Sequence, residues 1–78
     1  IIESVIKYDR NGNTVFGGEI SNLSIDGREK ANYIINLARS GRVAIANNSI
    51  TNSLKSGVYA TLSYENIIKE NWFGYDKE

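Results

Sequence analysis

The chain has 78 residues, with nine Lys and Arg balancing nine Asp and Glu, and it contains no His, Cys, Met or Pro. Without His and Cys it lacks the side chain that titrates nearest neutral pH, the thiolate nucleophile, and the ligands of most structural zinc sites. Zero net charge argues against general nucleic-acid binding, which draws on a basic excess to neutralise phosphates.

At this length one domain, residues 1–78, is expected, near the size where a single core becomes marginal without a disulfide or metal. Neutral charge and a small core together favour self-association into a homo-oligomer. No apolar run approaches the roughly 20 residues of a membrane span. The opening Ile1-Ile2-Glu3 carries no signal-peptide pattern. The chain opens without Met, as expected if the initiator was removed or left out. Two glycosylation sequons, Asn22-Leu23-Ser24 and Asn47-Asn48-Ser49, read as chance matches in an Asn-rich chain. A cytoplasmic location is expected.

Taken in order, Ile2 to Tyr8 reads as a strand with Ile2, Ile6 and Tyr8 on one face. Asp9-Arg10-Asn11-Gly12-Asn13 is a turn, since Asn-Gly supplies the positive φ that tight hairpins need. A second strand is predicted from Thr14 to about Ile20. Within it Phe16-Gly17-Gly18-Glu19 marks a bulge, bend or close backbone approach rather than a phosphate loop, because no helix follows directly. Asp26 reads as an N-cap, with Glu29 completing an acidic capping box. Ala31, Ile34, Ile35 and Ala38, widened by Leu37, then form a helical stripe ending at Gly41.

Val43 to Ala46 is short and apolar, a third strand. Asn47 to Gly57 is rich in Asn and Ser and reads as a long loop. Val58 to Tyr64 alternates as a fourth strand. Tyr64, Ile67, Ile68 and Trp72 recur at helical spacing, with Ser63 as cap and Gly74 as terminator, so residues 65–73 read as a short helix. No internal repeat is apparent. The expected fold is α+β: a four-stranded, mainly antiparallel sheet with one helix packed on a face, in the order ββαββ, plus a short C-terminal helix. This order resembles the β-grasp arrangement of ubiquitin-like and immunoglobulin-binding bacterial domains. The resemblance lies in element order alone, and no motif carries residue roles across.

Carboxylates Asp9, Glu19, Asp26, Glu29 and Glu65 each have an ordinary place in a turn, a cap or a solvent face, so no catalytic residues, metal site or cofactor is expected. Arg28, Asn32, Asn36 and Arg39 share one face of the predicted helix, and Arg42 follows it. Arg forks and Asn amides suit an anionic, nucleotide-like small molecule. Tyr59, Trp72, Phe73 and Tyr75 are aromatics of the kind enriched in interface hot spots. With Asn47 and Asn48 of the Asn/Ser loop, they form the candidate partner surface. Heavy use of Ile and Asn with little Ala fits AT-rich codons, and with the small size suggests a phage or prophage source. The function expected is a non-enzymatic binding protein, an inhibitor acting on a host protein. Two alternatives stand beside it: an oligomer sequestering the anionic ligand, and a structural self-assembling subunit.

Overall fold

The computed structural model describes residues 1–3, 7–8, 10–15 and 17–75, and for 7–8 and 14–15 the backbone alone. Among these residues there is no helix. The chain forms β1 (Ile2–Glu3), β2 (Lys7–Tyr8), β3 (Thr14–Val15), β4 (Gly18–Ser21), β5 (Ser24–Asp26) and β6 (Tyr33–Ala38). It continues as β7 (Val43–Ala46), β8 (Ser49–Thr51), β9 (Ser56–Thr61), β10 (Ile67–Lys69) and β11 (Trp72–Gly74).

Three three-stranded sheets form, in the orders β1-β6-β9, β4-β7-β10 and β5-β8-β11, and every pairing within them is parallel. The chain therefore visits the three sheets in turn and lays each circuit on the last. This is the topology of a parallel β-helix, a solenoid in which each rung touches only its neighbours. One rung is β4-β5-β6, the next β7-β8-β9, and β10-β11 begin a third. The hairpin β2-β3 is the antiparallel pair of the described residues. It is joined through Asn11-Gly12, with Gly12 at φ 80°, as the turn signal predicts.

The register exposes a repeat. Gly18 pairs with Val43 and Ser24 with Ser49, while Ile67 pairs with Ala44, Trp72 with Ser49 and Tyr33 with Ser56. The sequence offset of the first two pairs is longer than that of the other three by two positions, and this surplus falls in the corner between β5 and β6. Aligned this way, Glu19-Ile20-Ser21-Asn22-Leu23-Ser24-Ile25-Asp26 stands over Ala44-Ile45-Ala46-Asn47-Asn48-Ser49-Ile50-Thr51. Both stand over Ile67-Ile68-Lys69-Glu70-Asn71-Trp72-Phe73-Gly74. Like side chains stack in register: Ile20/Ile45/Ile68, Ile25/Ile50/Phe73 and Ile2/Ile35/Val58. Ile34, Ile35, Leu37, Ile45 and Ile50 are the buried core, with Ile2, Ile20, Ile25, Ala31, Val43 and Val58 packed against it.

The corners repeat too. Left-handed backbone recurs at Asn22, Asn47 and Glu70, at Arg39 and Leu62, and at Arg42 and Glu65, with φ between 50° and 58°. A rung turns sharply at each of these points, as a residue of positive φ allows. Gly17 and Gly18, at φ 115° and 140°, lead the chain into β4, and the Gly17 N–H donates to the Gly41 carbonyl at 2.9 Å. That is the close backbone approach expected of the glycine pair.

These findings overturn the α+β expectation with its mainly antiparallel sheet, its packed helix and its β-grasp order. The segment from Asp26 to Gly41 is not a helix, because Arg28 and Glu29 take φ of 55° and 56° and Arg39 takes 52°. Instead Asp26 ends β5, residues 27–32 make a corner, and β6 carries Ile34, Ile35 and Leu37 into the core. The apparent cap is an Asx turn: Asp26 Oδ1 accepts the Arg28 N–H at 2.8 Å and Asn52 Nδ2 at 2.9 Å. The expected loop from Asn47 to Gly57 contains β8 and the start of β9. The expected C-terminal helix is β10 and β11, broken by left-handed Glu70. Val43–Ala46 is a strand as predicted, and the strand predicted from Val58 runs Ser56–Thr61. The expected orientation of Ile6 and Tyr8, the Asp9 turn residue and the Phe16 side chain lie outside the described residues.

Candidate functional site: the open end of the solenoid

Among the described residues nothing covers the β10-β11 rung. Among the described residues β9, β10 and β11 each pair on one side only. The effect on burial is large within two stacks: Ile45 is 0% exposed and Ile50 1%, whereas Ile68 and Phe73, one rung on, are 47% and 46% exposed. Leu62, Tyr64, Ile67, Trp72 and Tyr75 are exposed as well. Exposed apolar side chains beside unpaired strand edges are what natural sheets cover or blunt.

Glycines let the aromatics lie close to the frame. A Cβ on Gly57 would stand 2.7 Å from Phe73 Cδ1, and one on Gly74 2.8 Å from Trp72 Cη2. The Tyr75 hydroxyl donates to the Ser53 carbonyl at 3.2 Å. Tyr59, also exposed, stacks on Tyr33 with ring centroids 4.4 Å apart and planes 14° from parallel.

Polar side chains stitch the rungs together at the corners. Asn48 is 3% exposed. Its Oδ1 accepts the Leu23 N–H at 3.0 Å, and its Nδ2 donates to the Ile20 carbonyl at 3.0 Å and to Asn71 Oδ1 at 2.9 Å. Asn71 repeats the pattern one rung later, accepting the Asn48 N–H at 2.9 Å and donating Nδ2 to the Ile45 carbonyl at 2.8 Å. Asn66 Oδ1 accepts the Val43 N–H at 3.0 Å, and Ser63 Oγ accepts the Ser40 N–H at 3.2 Å. A buried amide that donates and accepts at once satisfies groups that would otherwise be stranded at the bends.

The predicted ligand group is not assembled. Arg28 and Asn32 sit in the corner before β6, while Arg39 and Arg42 sit in the corner after it, with Asn36 on the strand between. Six strand residues at about 3.3 Å each separate the two corners by roughly 20 Å. Arg42 Nε donates to Glu65 Oε2 at 3.0 Å in an exposed ion pair between adjacent rungs, which holds the guanidinium pKa above its ordinary value. Asp26 is held below its ordinary carboxylate value, first by the Asn52 amide and then by the Arg28 N–H.

Of the predicted partner residues, Trp72, Phe73 and Tyr75 come together on the final rung. Tyr59 lies on β9, Asn47 is exposed at a left-handed corner, and Asn48 is turned into the stack and fully used there. Sequence reasoning misses Ser63, Asn66 and Asn71. The signal is present nonetheless: Asn48 and Asn71 stand at matching places in successive rungs, Asn48 shortly after Ile45 and Asn71 just as far after Ile68. Among the described residues no group of His, Cys, Asp or Glu could hold a metal ion, and no helix is long and apolar enough to cross a membrane. Compared with protein-family models, with curated proteins and with solved structures, the chain matches none.

Proposed function

We propose that the chain is a non-enzymatic binding module that works by taking polypeptide onto the edges that β9, β10 and β11 leave unpaired among the described residues. The observation that supports this is the contrast within the stacks: positions wholly buried at Ile45 and Ile50 are half exposed at Ile68 and Phe73. A covering strand adds backbone hydrogen bonds along β10 and β11 and removes these side chains from water, the mode of recognition in which an extended segment extends a sheet. The remaining repertoire of amides, hydroxyls and aromatic rings serves such recognition. A cytoplasmic host protein, bound by a phage-encoded inhibitor, is one partner that fits this mode.

The test uses Trp72, the one tryptophan of the chain, as a reporter. A synthetic peptide of the chain's own second rung, Ser40–Leu62, contains no tryptophan. Added at millimolar concentration, it is expected to shift Trp72 emission to the blue and to slow amide exchange in β10 and β11. A scrambled peptide of the same composition is expected to do neither. Equal effects of the two peptides, or none from either, would refute the reading.

A further inference from the structure

Asn or Asp followed by Gly is where a polypeptide most readily attacks itself, because a residue without a Cβ lets its amide nitrogen reach the preceding side-chain carbonyl. Each pair occurs once here, at Asn11-Gly12 and Asp26-Gly27. The fold treats the two differently. Gly27 is buried, its N–H donates to the Thr51 carbonyl at 2.8 Å, and its own carbonyl accepts the Lys30 N–H at 2.9 Å. The Asp26 carboxylate is held by the Arg28 N–H and the Asn52 amide. Bringing the Gly27 nitrogen onto Asp26 Cγ would break these contacts together. Asn11 and Gly12, by contrast, are exposed at the tip of the β2-β3 hairpin, and a Cβ on Gly12 would meet nothing within 4 Å. Other asparagines are restrained at the N–H that would have to attack. After Asn22, the Leu23 N–H donates to Asn48 Oδ1 at 3.0 Å, and after Asn47, the Asn48 N–H donates to Asn71 Oδ1 at 2.9 Å. After Asn48, the Ser49 N–H donates to the Leu23 carbonyl at 2.8 Å, and after Asn71, the Trp72 N–H donates to the Asn48 carbonyl at 2.8 Å.

We infer that Asn11 is a self-modification site, which deamidates through a cyclic imide formed with Gly12 and leaves aspartate and isoaspartate in the hairpin turn. The Gly12 nitrogen bonds to Asn11 Cγ, the Cγ–Nδ2 bond breaks, and Nδ2 departs as ammonia with the Gly12 amide proton. Water then opens the ring. Attack at Cγ gives aspartate in an ordinary backbone. Attack at the Asn11 main-chain carbonyl gives isoaspartate, whose backbone runs through Cβ and Cγ. The sequence of steps consumes water and no other reactant. Either product adds one carboxylate to a chain whose nine cationic and nine acidic side chains balance, so the formal charge moves from zero to minus one. Isoaspartate also lengthens the backbone by one atom inside the turn that joins Tyr8 to its partner Thr14. The register across that turn then has to shift, since turn length fixes hairpin pairing.

The experiment incubates the full chain in mildly alkaline buffer, which favours loss of the amide proton, and follows intact mass, ion-exchange elution and fragment masses. A gain of one mass unit is expected at Asn11, about tenfold faster than at exposed Asn22 or Asn47, whose following N–H groups must first release a hydrogen bond. Ion exchange should show a more acidic form, part co-eluting with an Asn11→Asp variant and part reacting as isoaspartate. A second incubation in mildly acidic buffer reads Asp26, where isoaspartate is expected to form at least about tenfold more slowly in the folded chain than in guanidinium. Equal rates at Asn11, Asn22 and Asn47 would overturn the hairpin site. Equal rates at Asp26 in the folded and unfolded chain would overturn the account of why the fold spares one glycine pair and not the other.

Discussion

Asn48→Ala is the sharpest probe of the corner contacts. The substitution leaves the Leu23 N–H without its acceptor at 3.0 Å and the Ile20 carbonyl without its donor at 3.0 Å. Asn71 Oδ1 keeps one partner, the Asn48 N–H at 2.9 Å. A buried polar group left unsatisfied costs about 1–3 kcal/mol, and two groups at partly buried corners give about 2–4 kcal/mol together. A chain of this length has a total stability of roughly 4–12 kcal/mol, so the loss is a large fraction. With a urea slope near ~1.5 kcal/mol/M, the unfolding midpoint should fall by about 2 M without a change in slope. Asn71→Ala removes the matching bonds to the Asn48 N–H and Ile45 carbonyl, but at the open end, where water replaces part of what is lost. Its midpoint should fall by about half as much. Asn47→Gly, at an exposed left-handed corner, serves as the control and should move the midpoint little. A shift under about 0.5 M for Asn48→Ala, or a larger shift for Asn71→Ala than for Asn48→Ala, would refute the stacked-amide account.

Gly27→Ala should cost about 1–3 kcal/mol in urea unfolding, because the new Cβ would lie 2.7 Å from the Asn52 carbonyl oxygen as well as 2.5 Å from Ile34 Cδ1. Gly57→Ala should cost less, since its nearest neighbour is the half-exposed Phe73 ring, which can swing away. Leu62→Gly should raise stability by about 0.5–1 kcal/mol, a gain read from the urea midpoint, because Leu62 is strained at a left-handed corner and its side chain is mostly in water. Asp26 governs a pH response. Its folded carboxyl is held below the ordinary value of 3.8, so as pH falls the unfolded chain takes up the proton first. The contribution is complete above pH 3.8 and is lost as pH drops through the lower folded value. Urea midpoints from pH 6 to pH 2 should therefore fall less steeply in Asp26→Asn than in the parent, and an unchanged slope would refute the assignment.

Local signals in the sequence are legible where a single strand or turn decides them. The Asn11-Gly12 hairpin turn, the break at Gly17-Gly18 and the strand Val43–Ala46 follow from φ preference and apolar pattern alone. The segment around Ile34, Ile35 and Leu37 is ambiguous. A short apolar run fits a helical stripe with Ala31 and Ala38 as well as it fits a buried strand, and the Asx turn of Asp26 imitates a helix cap. What decides between them is pairing with β1 and β9, whose residues lie a full rung or more away along the chain, beyond any local window. The same holds for Ile67, Ile68 and Trp72, whose helical spacing arises from two short strands separated by a corner at Glu70. The Asn/Ser stretch from Asn47 to Gly57 looks like a loop because polar residues do structural work inside it. Comparing the chain with itself at the offset of one rung places Ile20-Ser21-Asn22 over Ile45-Ala46-Asn47, and that match argues for stacked strands over a helix.

The missing His, Cys, Met and Pro take on a different meaning in a solenoid. A small domain without disulfides or metals ordinarily depends on one closed core, yet here the core is a column, and a column has ends. Each interior rung is held by its neighbours on both sides, through aliphatic stacks and through corner amides that reach back along the axis. Among the described residues the β10-β11 rung has one such neighbour, and it carries the chain's single Trp together with Phe73, Ile67 and Ile68. In the docking proposed above, stability and recognition draw on the same contacts. The side chains exposed on that rung, Ile67, Ile68, Trp72 and Phe73, are the ones the proposed docking would cover. A covering peptide should therefore do more than bind. It should raise the melting temperature of the chain, and go on raising it with the logarithm of peptide concentration after the site is filled. A peptide that shifts Trp72 emission without raising the melting temperature would separate the two roles and refute this coupling.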